Sequence, residues 1–393
     1  MKINKIIFEN GFTLIHLPFK GYRTAYFNLM LRVGSFADPK DKEGLSHLVE
    51  HVQAEKVLGY LRKTKDGRHI ADDFSAVSYD RRIELSSTFH RRSAKTAFFA
   101  LKEGINGLVD EGLLETERKR VISELGAEMD SPDSRHWHQA KSAAFGLSDD
   151  RHLVLGNEKT VSLMTTNDVR RHVDRTYVGQ NMVLVVAGDF EFALANSLAK
   201  QCFGDLRKGR VAKTKKCRHF AGKLRKPGRD IRRTTFSWLA PFHDVKQNLK
   251  LSAVLNGLQE RLKESVADPL GIYYLSVDMI VYDRFVWVTI HAEVSSDVLK
   301  KYLSLCKKKI EGYADGLTAE DYMVQSEALA TDLDMIQDFP KDAGREVLWN
   351  YLMFGDLFDP GKLSELCKET NDFNESKRMF RRIVCREPFI VIT

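Results

Sequence analysis

At 393 residues, with 43% hydrophobic and 29% charged residues, the chain has the composition of an ordinary globular protein with room for two or three domains. No apolar run approaches a membrane span, which excludes a helical membrane protein, and segment 1–11 lacks a signal-peptide core because Glu9 and Asn10 interrupt it. Five cysteines scattered singly, with no C-x-x-C pair, exclude a disulfide framework and fit free thiols, so the expectation is a cytoplasmic protein.

The first predicted element with a clear signal is an apolar strand over 24–31. A helix follows after Gly44, and it carries His47-Leu48-Val49-Glu50-His51. Residues four apart share a helix face, so His47 and His51 present two imidazoles to one point, as two ligands of a catalytic zinc would. Glu50 borders that face and reaches a water at such a metal without being a ligand itself. A metal lowers the pKa of the water and a carboxylate takes its proton. This order, H-x-x-E-H, is the inverzincin arrangement. Taken alone, the same residues also describe a solvated helix with two incidental histidines.

A strand is predicted over 82–89, then helices around 93–111 and 115–145. In the second of these, Glu117 and Glu124 lie seven apart and so share a face. Glu124 sits beside the apolar positions Val121, Leu125 and Met129, where a carboxylate is costly unless it is paired or bound to metal. It is the candidate third ligand. Glu117 is either a carboxylate that orients a ligand or one charge of a solvated face. His136 and His138 form H-x-H, point apart on a helix and read as polar helix positions. His69, His90 and His219 have no partner at ligand spacing. No phosphate loop and no nucleophile elbow occurs.

Residues 207–233 hold 13 Lys and Arg against the single acid Asp230, in a chain whose net charge is +7. With Gly209, Gly222, Pro227 and Gly228 and little periodicity, the segment reads as an exposed linker. It has no aromatic stacking platform beyond Phe220, so nucleic-acid binding gains no support. The expected domains are 1–206, the basic linker 207–233, and 234–393. The second part repeats the plan of the first: strand 234–239, helix 247–265, strands 271–279 and 284–291, helices 297–313 and 318–350. Gly112-Leu113 … Ser123-Glu124 pairs locally with Gly316-Leu317 … Ser326-Glu327. The fold class is α+β. Near Lys250, Ala253 and Val254, where the repeat would place the metal motif, no ligand types occur.

These residues carry a resemblance. H-x-x-E-H followed 73 residues after His51 by Glu124, in a V-x-x-E helix, resembles the pitrilysin family of zinc metallopeptidases, which includes insulinase-like enzymes and mitochondrial processing peptidases. The likeness extends to Arg32-Val33-Gly34-Ser35, Asp130-Ser131-Pro132, Leu155-Gly156-Asn157-Glu158 and Val186-Ala187-Gly188-Asp189. It implies two halves, each an antiparallel sheet backed by helices, facing each other as a clamshell. It also implies zinc on His47, His51 and Glu124, Glu50 as general base, Glu117 behind the ligands, and an extended peptide as substrate.

Two departures stand out. Complete family members carry an arginine and a tyrosine in the second half, in a stretch like R-L-x-x-x-L-R-E-x-x-G-L-x-Y. Here, over 261–274, Tyr274 falls on the tyrosine but Ala267 stands at the arginine. On the substrate strand, Ser75-Ala76-Val77-Ser78 replaces the family's N-A-x-T, so Ser75 and Ala76 would make the backbone grip. An oxyanion donor is worth on the order of a hundredfold in rate. The expectation is therefore a zinc endopeptidase that is the metal-bearing subunit of a heterodimer with a homologous zinc-free chain, a homodimer being the alternative. A catalytically weak peptide-binding or scaffold subunit is the rival. Neither a nucleic acid nor a membrane is an expected partner.

Overall fold

The computed structural model describes residues 2–106, 108–145, 154–211, 220–227, 230–241, 244–282, 285–369 and 372–393. Much of the basic segment, residues 212–219 and 228–229, and with it His219, lies outside the described residues. In chain order the elements are β1 (Asn4–Ile7), β2 (Thr13–Pro18), β3 (Thr24–Leu31), α1 (Leu45–Lys63), α2 (Gly67–Asp72), β4 (Ser75–Ser78), β5 (Ile83–His90), α3 (Ala94–Ile105), α4 (Glu111–Asp130), α5 (Pro132–Phe145), α6 (Glu158–Ser162), α7 (Thr166–Thr176), β6 (Met182–Gly188) and α8 (Phe192–Phe203). Then come β7 (Gly222–Arg225), β8 (Ile231–Pro241), α9 (Val245–Leu262), β9 (Leu275–Tyr282), β10 (Phe285–Ser295), α10 (Leu299–Gly316), α11 (Ala319–Ile336), α12 (Pro340–Phe354), α13 (Pro360–Glu369), α14 (Phe373–Val384) and β11 (Phe389–Ile392).

The chain forms two compact units. The first comprises Met1–Asp130, His152–Lys215 and Asp338–Leu348; the second comprises Ser131–Arg151, Lys216–Gln337 and Trp349–Thr393. The first holds a sheet in the order β1-β2-β6-β3-β5-β4, the second a sheet in the order β7-β11-β8-β10-β9. Leaving out β1, the two orders correspond strand for strand, and so do the directions. β2 runs parallel to β6, and β7 to β11; the other neighbours are antiparallel in both. Helix α1 follows β3 as α9 follows β8, and α3 follows β5 as α10 follows β10. The α+β class with two homologous halves, each a sheet backed by helices, therefore stands, but the sheets are mixed rather than purely antiparallel. A parallel pair needs a long crossover, and the helices between β2 and β6 supply one.

In the first unit β3 is buried over Ala25–Leu31 on both faces, which explains its unbroken apolar run. One face packs with α1, α3 and α8 into a core that includes Phe27, Leu29, Leu48, Val52, Phe98 and Leu101. On the other face Gly344 comes so close that a Cβ there would lie 2.9 Å from the Tyr26 ring. The second core gathers Phe236, Leu251, Leu255, Val288, Ile290 and Tyr302.

Two expected long helices are each broken. The break after Asp130 precedes Pro132 and the break before α12 precedes Pro340, and both prolines open the following helix. A proline is accommodated at a first helical position but disfavours helical backbone in the residue before it. Strand β9 begins at Leu275, later than expected, because 263–267 and 268–270 extend α9 by tighter and wider turns. No helix among the described residues is long and apolar enough to cross a membrane.

Candidate metal centre

Helix α1 is anchored at its start by a residue outside it. Asp38 accepts the backbone N–H groups of Gly44 and Ser46, each at 2.9 Å, and the Ser46 hydroxyl at 2.6 Å. These are orphan donors of a helix start, so the carboxylate caps it. Gly44 has φ 92°, and a Cβ on it would lie 2.6 Å from the Leu155 carbonyl. Both facts demand glycine. The consecutive residues Leu45 to Glu50 are all buried, so this end of α1 is enclosed on every side.

His47, Glu50 and His51 come together, with ligand-type atoms within 4.8 Å of one another. Helix α4 brings Glu124 to the same point. Its Oε2 lies 3.1 Å from His51 Nε2 and 3.7 Å from His47 Nε2. Glu50 Oε2 is 3.8 Å from His47 Nε2. Glu117, one helical stretch earlier on α4 and only 1% exposed, sets Oε2 3.3 Å from His51 Nδ1, while its Oε1 accepts Arg120 Nη1 at 2.7 Å. Glu124 is about half exposed; Val121 and Leu125 beside it are buried, whereas Met129 is exposed, because α4 ends there.

The donor set fits one divalent metal. Ligands of a four-coordinate zinc with bonds of about 2.0–2.1 Å sit roughly 3.3 Å apart, close to the separations from Glu124 to the two imidazoles. The His51 Nδ1–H donates to Glu117, which leaves the Nε2 lone pair facing Glu124 and His47. His47 is buried with no hydrogen bond on Nδ1, and its Nε2 has only the two carboxylates beyond bonding distance. A buried imidazole without hydrogen bonds is costly, and coordination at Nε2 would offset that cost.

Electrostatics sharpen the division of roles. Burial lowers the His47 pKa, and the nearby His51 lowers it further, so the ring stays neutral as a ligand must. Burial acts the same way on His51, but the hydrogen bond to Glu124 and the charges of Glu50 and Glu124 outweigh it and raise its pKa. The hydrogen bond from His51 lowers the pKa of Glu124. Glu50 is enclosed, and burial pushes its pKa up to about 7 despite a hydrogen bond from Ser78.

Ser78 was not among the expected site residues. Its Oγ donates to Glu50 Oε2 at 3.3 Å. The signal lay in the strand period: Ala76 and Ser78 are half-buried on one face of β4, while Ser75 and Val77 are exposed on the other. Strand β4 pairs with β5 and forms one edge of its sheet.

The other expected residues lie in the second unit. Tyr274 is 46% exposed, with its hydroxyl 3.5 Å from Ser276 Oγ and its ring 5.6 Å from that of His291. Ala267 is buried in the second core. In α9, the counterpart of α1, Lys250 is buried in an ion pair with Glu375, and Ala253 and Val254 are core residues. Glu327 is exposed on α11. His136 is not a polar helix position: it is fully buried, bonded to Thr235 Oγ1 at 2.7 Å and Thr393 Oγ1 at 2.8 Å, because α5 packs against β8 and β11.

A duplicated α+β fold with an inverted H-x-x-E-H helix defines a class of peptidase-like proteins. Residues 164–324 match the family described as the Peptidase M16 inactive domain; that span includes neither α1 nor α4. The chain is 22% identical to an uncharacterized zinc protease of Rickettsia felis over 395 residues, 95% of this chain and 94% of that one. It is 23% identical to the mitochondrial-processing peptidase subunit beta of Blastocladiella emersonii over 209 residues, 51% and 44% of the two chains. A protease from Helicobacter pylori has the same fold, with a TM-score of 0.82 at 15% identity over 100% of this chain and 99% of that one. These comparisons support the resemblance to the pitrilysin-like M16 family.

Proposed function

We propose that the chain is a zinc metalloendopeptidase, cytoplasmic, that cleaves extended peptides in an enclosed chamber and is the metal-bearing subunit of a heterodimer. The observation that carries this is the approach of both imidazole Nε2 atoms to one Glu124 oxygen, with the buried Glu50 carboxylate alongside. His47, His51 and Glu124 would hold the ion. Zinc there supplies Lewis acidity, polarising a carbonyl and making water a nucleophile near neutral pH. Glu50 takes the proton of the attacking water and hands it to the leaving amine; a base with a pKa near the working pH does both. Ser78 holds Glu50 in place, and Glu117 fixes the His51 tautomer. The open edge of β4, with Ser75 and Ala76, binds an extended peptide by backbone hydrogen bonds.

The heterodimer rests on Ala267. An alanine in a core cannot donate to an oxyanion, so a homologous, zinc-free partner with an arginine and a tyrosine would complete the site. In a homodimer Arg261 would cover for it, with Tyr274 as the second donor. The decisive test is metal analysis of the purified chain, with peptide cleavage measured alone and with related partner chains. Bound zinc, slow cleavage alone and a steep rise with the partner support the proposal. Robust cleavage by the isolated chain refutes the heterodimer. Bound zinc with no cleavage under any pairing makes the chain a peptide-binding scaffold.

A further inference from the structure

Segment 310–340 holds eight Asp and Glu and no Lys, Arg or His, in a chain whose net charge is +7. Helix α11 occupies most of it. One side of α11, with Tyr322, Ala330 and Leu333, is buried where the helix packs against α9 and α13 of the second unit. The other side is uncovered. Val324 is 56% and Met335 61% exposed, and Ala328 and Thr331 between them are exposed as well. These four follow one another at intervals of four, three and four residues. That alternation is how one helix presents a seam to another. Single exposed apolar residues are ordinary, but aligned in one seam they form a strip that a second helix can cover.

Charge decides which helix that is. In the seven-residue repeat the positions beside the seam are Glu327 and Asp334 on one side and Asp332 on the other. Lys368 pairs with Asp334 at 3.3 Å. Glu327 and Asp332 are exposed and have no ion pair among the described residues. At the start of the seam Val324 also borders a cavity of about 610 Å³, where Glu260, Glu264 and Asp321 face Arg261, Lys308 and Lys309. The signs balance there, so the acids farther along set the preference. A second copy offering its own α11 would bring like charges together.

We propose that the exposed side of α11 docks an amphipathic helix of a partner protein, apolar along one stripe and flanked by Lys or Arg. The stripe covers Val324, Ala328, Thr331 and Met335, and the flanking cations meet Glu327 and Asp332. Nothing in this contact involves the metal centre.

The test is fluorescence anisotropy of the full chain with three labelled synthetic peptides of three heptads each. The first has Leu along the seam and Lys beside it, the second has Glu in place of Lys, and the third is the first in scrambled order. Expected are saturable binding of the Lys helix and at least about tenfold weaker binding of the other two. Glu327→Lys with Asp332→Lys should weaken the Lys helix by about tenfold or more and admit the Glu helix, and Met335→Ser should weaken it by about threefold or more. Glu9→Lys with Asp205→Lys makes the same charge change on exposed acids of the first unit and should bind as the parent does. No saturable binding overturns the proposal. So does equal binding of the scrambled peptide, which leaves only diffuse charge attraction, or unchanged binding in Glu327→Lys with Asp332→Lys, which places the peptide elsewhere. Self-association of the chain that Met335→Ser abolishes makes the occupant a second copy and overturns it too.

Discussion

Acidification should destabilise the second unit more than the first. His136 and His291 of the second unit are 0% and 2% exposed, and burial lowers their pKa values to about 3 and about 4. Each is lowered further or held by its surroundings, His136 chiefly by the neighbouring His291. Both are therefore neutral when folded, and stability is lost as the pH falls from the unfolded value of 6.5 toward the folded ones. Going from pH 7 to pH 5, each costs about 2 kcal/mol, because the unfolded imidazole is then almost fully protonated and the folded one is not. The pair costs about 4 kcal/mol, against a typical total of about 5–15.

The first unit behaves differently. His172, lowered to about 3 by burial, costs it about 2 kcal/mol over the same interval. Asp38 works the other way. Burial raises its pKa to about 7, so its contribution is complete at low pH and lost as the pH rises through 7; acidification returns about 2 kcal/mol. The two nearly cancel, and His47, lowered to about 4, is offset in the same way by Glu50, raised to about 7. The assay is built in, because the four tryptophans, Trp137, Trp238, Trp287 and Trp349, all belong to the second unit. Urea unfolding followed by tryptophan fluorescence should lose about 4 kcal/mol between pH 7 and pH 5, and His291→Gln should remove about half of that dependence. A fluorescence transition that does not move with pH, or one that moves equally in His291→Gln, would refute the reasoning.

The other predictions concern chemistry and charge. Glu50→Gln should keep bound metal and lose cleavage, because only the proton acceptor is gone, whereas His51→Ala or Glu124→Ala should lower the metal content itself, read by elemental analysis. Glu117→Gln should weaken metal affinity by about 10- to 100-fold in a chelator competition, since it removes the charge behind His51 Nδ1. Neutralising several cations in 207–233 should change stability by less than about 0.5 kcal/mol and leave peptide affinity without added salt dependence; a loss at low salt that vanishes at high salt would make the segment a docking site.

The metal helix was legible because its chemistry is local. Two histidines four apart and a glutamate between them need only helical periodicity to meet. Glu124 is a different matter: its apolar flank made it a candidate, but nothing in a spacing of 73 residues says that α4 crosses α1, and only the family resemblance joined it to the two histidines. His136 shows the same limit. H-x-H on a helix reads as two outward positions, yet α5 lies on the second sheet and sends His136 between Thr235 and Thr393, contacts about a hundred residues away or more. Ser78 was within reach of a simple alternation. Strands β6 and β11 are short, wholly apolar or nearly so, and carry no sign of their partners or direction.

Strand β11 lies inside its sheet, between β7 and β8, yet Phe389–Ile392 is synthesised after every other strand of that sheet. Until it emerges, β8 has an open side and β7 has nothing to pair with. The first unit also waits, because its sheet is covered by residues 338–348. Neither unit can be finished as a ribosome works through the chain in order, so the usual course of one domain folding before the next is made is closed to this protein. A long-lived nascent chain with unpaired strand edges is prone to mispairing. The cell must either shield it during translation or complete it quickly afterwards, and the loss of β11 would reopen the sheet at its middle rather than fray its rim.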